Sequence, residues 1–488
     1  MAHPSKLESR LKAILDVTIS RRRLTRTGVG LCLSVAVCLV LPLASLRPAA
    51  MAEDRIETAE VVEQPEDSSI VMNPDTPIGR VTELTEVEDW AWGVPGTHVA
   101  GESGKTAEVM LQGKKQYGPR VLHFPKDRSM GMLQIRAAGV HDDLFTGFSE
   151  FREARGAVVV PSGKELILDP SAGAARDLSP LAKLNRDDLY GIYCWRVPVD
   201  DDNLRHVSAL DDLKMLWLRS APITGEGVFH LRGLKRLKCL SLCDTKISDA
   251  GLFIIGVMRS LELLNLRATD VTDHGLVSLA GLKSLKSIDL GYCRITDWGL
   301  EHLGKIGTLE SIDVSHSDIT DAGLAHLKDL HSLNQLNLDS VKITDKGLAY
   351  LSALSSFKKV DLSRTKITDA GLAHLTKLRH LGIDSDRITD AGVAHLSNLH
   401  SLESLFLKNA RLSDKALSYI ANMMKLETVD LGGHFSDAGL KHLAGLNLLK
   451  SLALPGKGLS IQALEALERM LPVLSHLEAK GLPRMERR

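Results

Sequence analysis

The apolar positions of this chain change rhythm twice in every 24 residues, from Leu189 almost to the end. One unit reads LKCLSLCDTKISDAGLFIIGVMRS, from Leu237 to Ser260. Its leading apolar residue returns at Leu189, Leu213, Leu237, Leu261, Leu285, Leu309, Leu333 and Phe357. The first half of a unit is L-x-x-L-x-L, as in Leu261, Leu264 and Leu266. Two leucines two apart leave a strand on the same side. The second half is I-T-D-x-G-L-x-x-L-x-x-L, as in Ile319 to Leu330. There the spacing of three and four marks the buried face of a short helix. No unit can bury its own leucines, whereas stacked neighbours can. The predicted fold class is α/β: a curved solenoid with a parallel sheet on its concave side and helices on its convex side. It spans residues 189–477 in about 12 units and a half-unit.

Asp249, Asp273, Asp297, Asp321, Asp345 and Asp369 stand just before the helical stretch. There a carboxylate or the neighbouring Thr can cap free N–H groups and complement the helix dipole. The glycine two residues on, as in Gly275 and Gly299, fits a tightly packed helix start. After Leu378 one unit starts three residues early. Aligning backward from Ile388 makes Leu381 and Ile383 the inward pair and puts the deletion in the helix-to-strand connection. Leu474 to Leu477 reads as the final half-unit and 478–488 as a tail.

The units resemble leucine-rich repeats. I-T-D-x-G-L is similar to the cysteine-containing type found in F-box substrate receptors and many bacterial proteins. The resemblance implies a horseshoe-like binding scaffold and, for its F-box branch, an adaptor role in ubiquitin-ligase-type complexes. The usual mid-repeat Asn or Cys is here Thr245, Thr269, Cys293, Ser317, Val341 and Thr365, so that ladder is only partly polar. No F-box-like helical segment is readable upstream.

Composition redirects attention to the N-terminus. The chain has 488 residues and a formal charge of −1, which removes any global argument for nucleic-acid binding. Between Thr27 and Leu46 there is no charge, and the stretch is about long enough to span a bilayer. Lys6, Arg10, Lys12, Arg21, Arg22, Arg23 and Arg26 precede it. Their position places the N-terminus in the cytoplasm and the repeats outside. The expected organisation is a basic cytoplasmic segment 1–27, a membrane helix 28–47 and an acidic linker 48–77. A small β-rich domain 78–170 and a solenoid cap 171–188 follow. Cleavage of an exported leader at Ala50-Met51-Ala52 is the alternative. The text KLESRLKAILDVTISRRRLTRTG before the apolar span is similar to the end of the membrane domain of BlaR1-type peptidases. That likeness implies an extracytoplasmic sensor topology. The peptidases' H-E-x-x-H motif is absent, so their activity does not carry over. Within the β-rich region, Val158 to Leu168 reads as a hairpin turning at Pro161-Ser162-Gly163.

Candidate chemistry is sparse. Gly104-Lys105-Thr106 ends like a P-loop, but Val99 stands where the motif needs glycine, so a polar loop is expected. His302, His326, His374, His395 and His442 share one repeat position on convex helices. Adjacent helices pack about 8–10 Å apart, too far for one metal ion to bridge. Cys239 and Cys243, read on one strand about 13 Å apart, cannot form a disulfide. No catalytic, cofactor or metal residues are assigned, and no small-molecule substrate or nucleic acid is expected.

The concave face carries the functional expectation. One outward column reads Tyr193, Trp217, Ser241, Asn265, Asp289, Asp313, Asn337, Asp361, Gly382, Phe406 and Asp430. Met215, Cys239 and Leu263 lie two residues before it, and Arg219 and Arg267 two residues after. Exposed Trp, Tyr, Met and Arg have the composition of an interface centre, or else form a seat for the preceding β-rich domain. The Asp/Asn stripe of Asp289, Asp313 and Asp361 reads as a solvated ladder, or as a surface for a basic partner. Together these residues predict a protein partner on the concave face, with the membrane engaged through 28–47.

Overall fold

The computed structural model describes residues 118–138 and 147–482. The membrane stretch 28–47, the acidic linker 48–77, the Val99–Thr106 loop and residues 483–488 lie outside the described residues.

Within each repeat the L-x-L pair drives the packing. Leu264 and Leu266 are fully buried, as are Leu279 and Leu282 from the helical half. The strands lie parallel and in register, so apolar residues stack rung upon rung: Leu264 on Ile288, Ile288 on Ile312, Ile312 on Leu336. Burying each such side chain contributes about 1.5–3 kcal/mol. β6 (Gly191–Trp195), β7 (Met215–Arg219), β8 (Cys239–Ser241) and β9 (Leu263–Asn265) follow one another in chain order, and so on to β17 (Ser451–Pro455) and β18 (His476–Lys480). Among the described residues these thirteen strands belong to one 16-stranded sheet, whose other three strands precede the repeats. Strands pack about 4.8 Å apart and helices 8–10 Å apart. A stack of strand-plus-helix units therefore bends with its strands inside.

The sheet continues beyond the repeats. β5 (Lys164–Pro170) pairs parallel with β6 and antiparallel with β2 (Gly131–Ala137), which pairs with β3 (Glu150–Glu153). β1 (Arg120–His123) and β4 (Ala157–Val160) form a separate two-stranded sheet. The expected hairpin at Val158–Leu168 is therefore not one. Both of its strands exist, but β2 and β6 occupy both edges of β5, so β4 pairs elsewhere. Gly163, with φ 73°, turns the chain between the two sheets. Leu178 and Leu181 are buried against the first repeat, and the buried Asn203 carboxamide oxygen accepts the Leu178 N–H at 2.8 Å.

Helix starts are built by two neighbouring repeats at once. Thr, not Asp, caps its own helix: Thr272 Oγ1 accepts the His274 N–H and Thr296 Oγ1 that of Trp298, both at 3.3 Å. The Asp that follows turns to the next repeat. Asp249 accepts from the N–H and hydroxyl of Thr272 at 2.8 and 2.7 Å. Asp273 does the same with Thr296, and Asp297 with Thr320. The ladder persists to Asp414 with Ser436 and Asp437 with Ser460. It also explains the glycines: a Cβ on Gly299 would lie 2.4 Å from Asp273 Oδ1. One rung is missing. Gly225 occupies the Asp position, and Ser248 in the next repeat makes no side-chain cap bond.

The shortened unit keeps this ladder. Asp369 bonds Thr389 across 20 residues instead of 23. Leu381 and Ile383 are buried in β14 (His380–Asp384), which pairs in register with β13 (Lys359–Asp361). The missing residues fall between the helix Asp369–Leu372 and β14.

Candidate functional site

On the sheet face the first rungs bring Tyr193, Met215, Trp217 and Leu263 together. Ile167, Tyr190, Met215, Cys239 and Leu263 form a buried apolar layer, against which Phe148, Tyr193 and Trp217 pack. Met215 and Leu263 are thus buried, not exposed as expected: Met215 retains 2% of its surface. The notch left by Gly191 is the reason, because a Cβ there would lie 3.1 Å from Met215 Cε. Tyr193 and Trp217 stay half-buried, with ring centroids 5.6 Å apart. The Trp217 indole N–H points at Cys239 Sγ, 3.2 Å away. Trp195 and Arg219 stand exposed beside the pair. Phe148, two residues before β3, contributes too: the buried Arg136 of β2 lies 4.5 Å from the Phe148 ring and 4.7 Å from that of Tyr190, and bonds Glu165 at 2.9 Å.

Burial pushes the Cys239 thiol up to about 12 and raises Cys194 and Cys243 as well. Such thiols stay protonated and are poor nucleophiles. Cys243 lies past the end of β8, not on it. Asp169 is raised to about 6 by burial, and its charge adds to the burial that raises the Tyr193 phenol.

The acidic stripe is not a solvated ladder. Asp289, Asp313, Asn337 and Asp361 are all buried. Each turns its Oδ1 onto the backbone N–H two residues on: Gly291 at 3.0 Å, Ser315 at 2.8, Asp339 at 3.0 and Ser363 at 2.8. Asn337 Nδ2 donates to Asp313 Oδ2 at 2.8 Å. Arg267 lies over Gly291, where a Cβ would meet its guanidinium at 2.5 Å, and reaches Asp313 Oδ2 at 3.6 Å. The stripe is thus internal bonding that ends the strands. Burial and then the Asp313 charge raise Asp289, and burial raises Asp361. Phe406 is half-buried on β15 (Ser404–Lys408), away from the other candidates in the stack.

The sequence reading missed the edge of this face. From β6 to β13 the residue one or three positions past the strand end is left-handed without being glycine: Arg196, Ser220, Asp244, Ala268, Tyr292, His316, Ser340 and Arg364. Its N–H donates to the next repeat, as from Tyr292 to the Ser315 carbonyl at 2.9 Å. Arg267 lies 4.7 Å from the Tyr292 ring, which stacks on His316 at 3.9 Å. His316 faces Asp339 at 3.4 Å, and Arg364 closes on the same carboxylate. Varied residue types at this position hide the pattern; only the 24-residue spacing could have flagged it. A further open cleft of about 760 Å³ lies where Gly432 and Gly433 shorten the turn, lined by Lys408, Arg411, Asp430, His434 and Lys480 among others.

The histidines His302, His326, His395 and His442 lie in the helical halves of their repeats. The described residues hold no group of three or more His, Cys, Asp or Glu placed to bind a metal ion. No helix among them is long and apolar enough to cross a membrane.

Residues 281–304 and 308–327 match the family model described as Leucine Rich repeat. These units are leucine-rich repeats in sequence, and the chain from β6 onward is a leucine-rich-repeat solenoid in fold. No curated protein matches the chain by sequence. Among solved structures, an internalin (inlF) from Listeria monocytogenes is similar at 25% identity over 59% of this chain and 86% of its own, with a TM-score of 0.44. Internalin C2 from the same organism is similar at 22% identity over 43% and 91%, with a TM-score of 0.35. The plant peptide hormone receptor RGFR1 in complex with RGF2 is similar at 14% identity over 62% and 60%, with a TM-score of 0.31.

Proposed function

We propose that this chain is an exported, membrane-anchored leucine-rich-repeat protein that binds another protein through the first rungs of its sheet face, without a catalytic step. The supporting observation is the half-buried Tyr193–Trp217 pair, seated on a buried apolar layer and flanked by exposed Trp195 and Arg219. A rigid aromatic pair with one face open and a cation beside it loses little entropy on binding. The buried Asp289, Asp313 and Asp361 are already bonded within the chain, so the contact residues narrow to Tyr193, Trp195, Trp217 and Arg219. The apolar stretch 28–47 and the basic residues before it support the anchor and the outward orientation.

The test is crosslinking and pull-down with the full chain, followed by affinity measurements on the captured protein. Trp217→Ala should cost about 2 kcal/mol or more, while His326→Ala on the helix side costs almost nothing. Both variants must first keep the parent thermal transition. Unchanged affinity for Trp217→Ala, with loss on a helix-side change, refutes the assignment. Carbonate extraction checks the anchor; recovery of a soluble form starting near Glu53 would reject it for a cleaved leader.

A further inference from the structure

The helix side of the early repeats departs from the rest of the solenoid. Phe253 is 71% exposed and Val257, one helical turn on, 62%. Val277 and Trp298 in the next two repeats are exposed too. Phe229, Phe253 and Val277 share one repeat position, which reads Glu301, Ala325 and Ala349 in the following units. A second column lies six residues later: Lys235, Arg259 and Lys283, all exposed, followed by Gly307. The apolar and basic columns therefore begin and end in the same repeats. Arg232 joins them, its guanidinium 3.7 Å from the Phe229 ring. Lys235, Arg259 and Lys283 make no ion pair among the described residues. The helix-side acids Glu226 and Glu301 stand at the flanks, and Glu301 is tied to Lys305 at 2.8 Å.

We infer that this strip is a docking surface for an anionic lipid bilayer. Apolar tips on a convex row of helices, with an adjoining line of cations, suit the depth profile of a membrane interface. The rings and aliphatic groups enter the acyl boundary, and the long basic side chains reach lipid phosphates. A chain whose formal charge is −1 holds here a column of cations without ion-pair partners among the described residues, and the nearby Glu262 is paired with Lys238 at 2.6 Å. That local charge selects an anionic surface. Docked this way, the solenoid lies with its helix side on the bilayer and its sheet face turned away from it, open to a partner.

The inference deepens the anchored reading and rests on it only for proximity. The full chain is reconstituted into phosphatidylcholine vesicles, with or without phosphatidylglycerol, and incorporation is read first by resistance to carbonate extraction. A chain that is extracted refutes the anchor; the labelled chain mixed with the same vesicles then still reports on the strip. Phe253→Cys carries a polarity-sensitive fluorophore, and Ala349→Cys, at the equivalent position outside the strip, is the control. The unsubstituted chain labelled alike gives the background, and every variant is first shown to keep the parent thermal transition. The expected result is a blue shift and quenching by spin-labelled lipid for the label at 253, in anionic vesicles only. High salt, or Lys235→Glu with Arg259→Glu and Lys283→Glu, should abolish it. No shift in either vesicle, an equal shift in both, an equal response at 349, or a shift that requires an added protein overturns the inference.

Discussion

Asp289 and Asp313 are identical residues on neighbouring rungs, yet their partners differ. Asp313 accepts from the Asn337 amide and lies near Arg267; Asp289 is held up first by burial and then by the like charge of Asp313, which the Gly291 N–H, Arg267 and Asn265 offset only in part. Its folded pKa therefore lies above the unfolded value of about 3.9. The folded state keeps the proton longer, so stability falls as pH rises from about 4 through the folded pKa and then levels off. Asp289→Asn keeps the acceptor for Gly291 and removes the repulsion. Urea unfolding should show a gain of about 1 kcal/mol at about pH 8 that disappears near pH 4. An unchanged midpoint at both pH values would refute the account. The sequence named this column correctly as facing the sheet side, but not its burial. Alternation along a strand gives direction, whereas exposure depends on what neighbouring rungs place over it, as Arg267 does across Gly291.

At the scale of the helix start, the I-T-D-x-G motif is one device shared by two repeats. Asp273→Ala would remove two hydrogen bonds to Thr296, one of them from a backbone N–H, at a cost of about 2 kcal/mol in thermal or chemical unfolding. The opposite change is available at Gly225. A Cβ there meets only ordinary contacts, the nearest at 3.4 Å, so Gly225→Asp can supply the missing partner for Ser248. It should raise stability by about 1 kcal/mol. If Gly225→Asp lowers the melting temperature, the bridge is not what the motif provides. Gly299→Ala should be costly for the reciprocal reason, since its Cβ would fall 2.4 Å from Asp273 Oδ1.

For the whole molecule, the open start of a stack is its weakest point. β5 supplies the rung before β6, while Leu178 and Leu181 cover the first leucines. A chain beginning at Leu189 loses both and exposes Ile192 and Leu204, which are fully buried in the intact protein. It should aggregate at concentrations where the full chain stays monodisperse by size-exclusion chromatography. A soluble, cooperatively folding truncate would show that the cap is dispensable.

The 24-residue period by itself determined that strands and short helices alternate and which leucines face inward. It also located the shortened unit after Leu378 and predicted tightly packed glycines at the helix starts. These follow from local periodicity, because each unit repeats the same environment. Tertiary structure alone decided what lies between units: that Asp249 bonds Thr272 rather than capping its own helix, and that β4 and β5 part to different sheets. It also decided that Met215 sinks into the space left by Gly191 while Trp217 stays half open. Each of these depends on which side chain another rung brings within reach, and a one-dimensional pattern carries no distance across rungs.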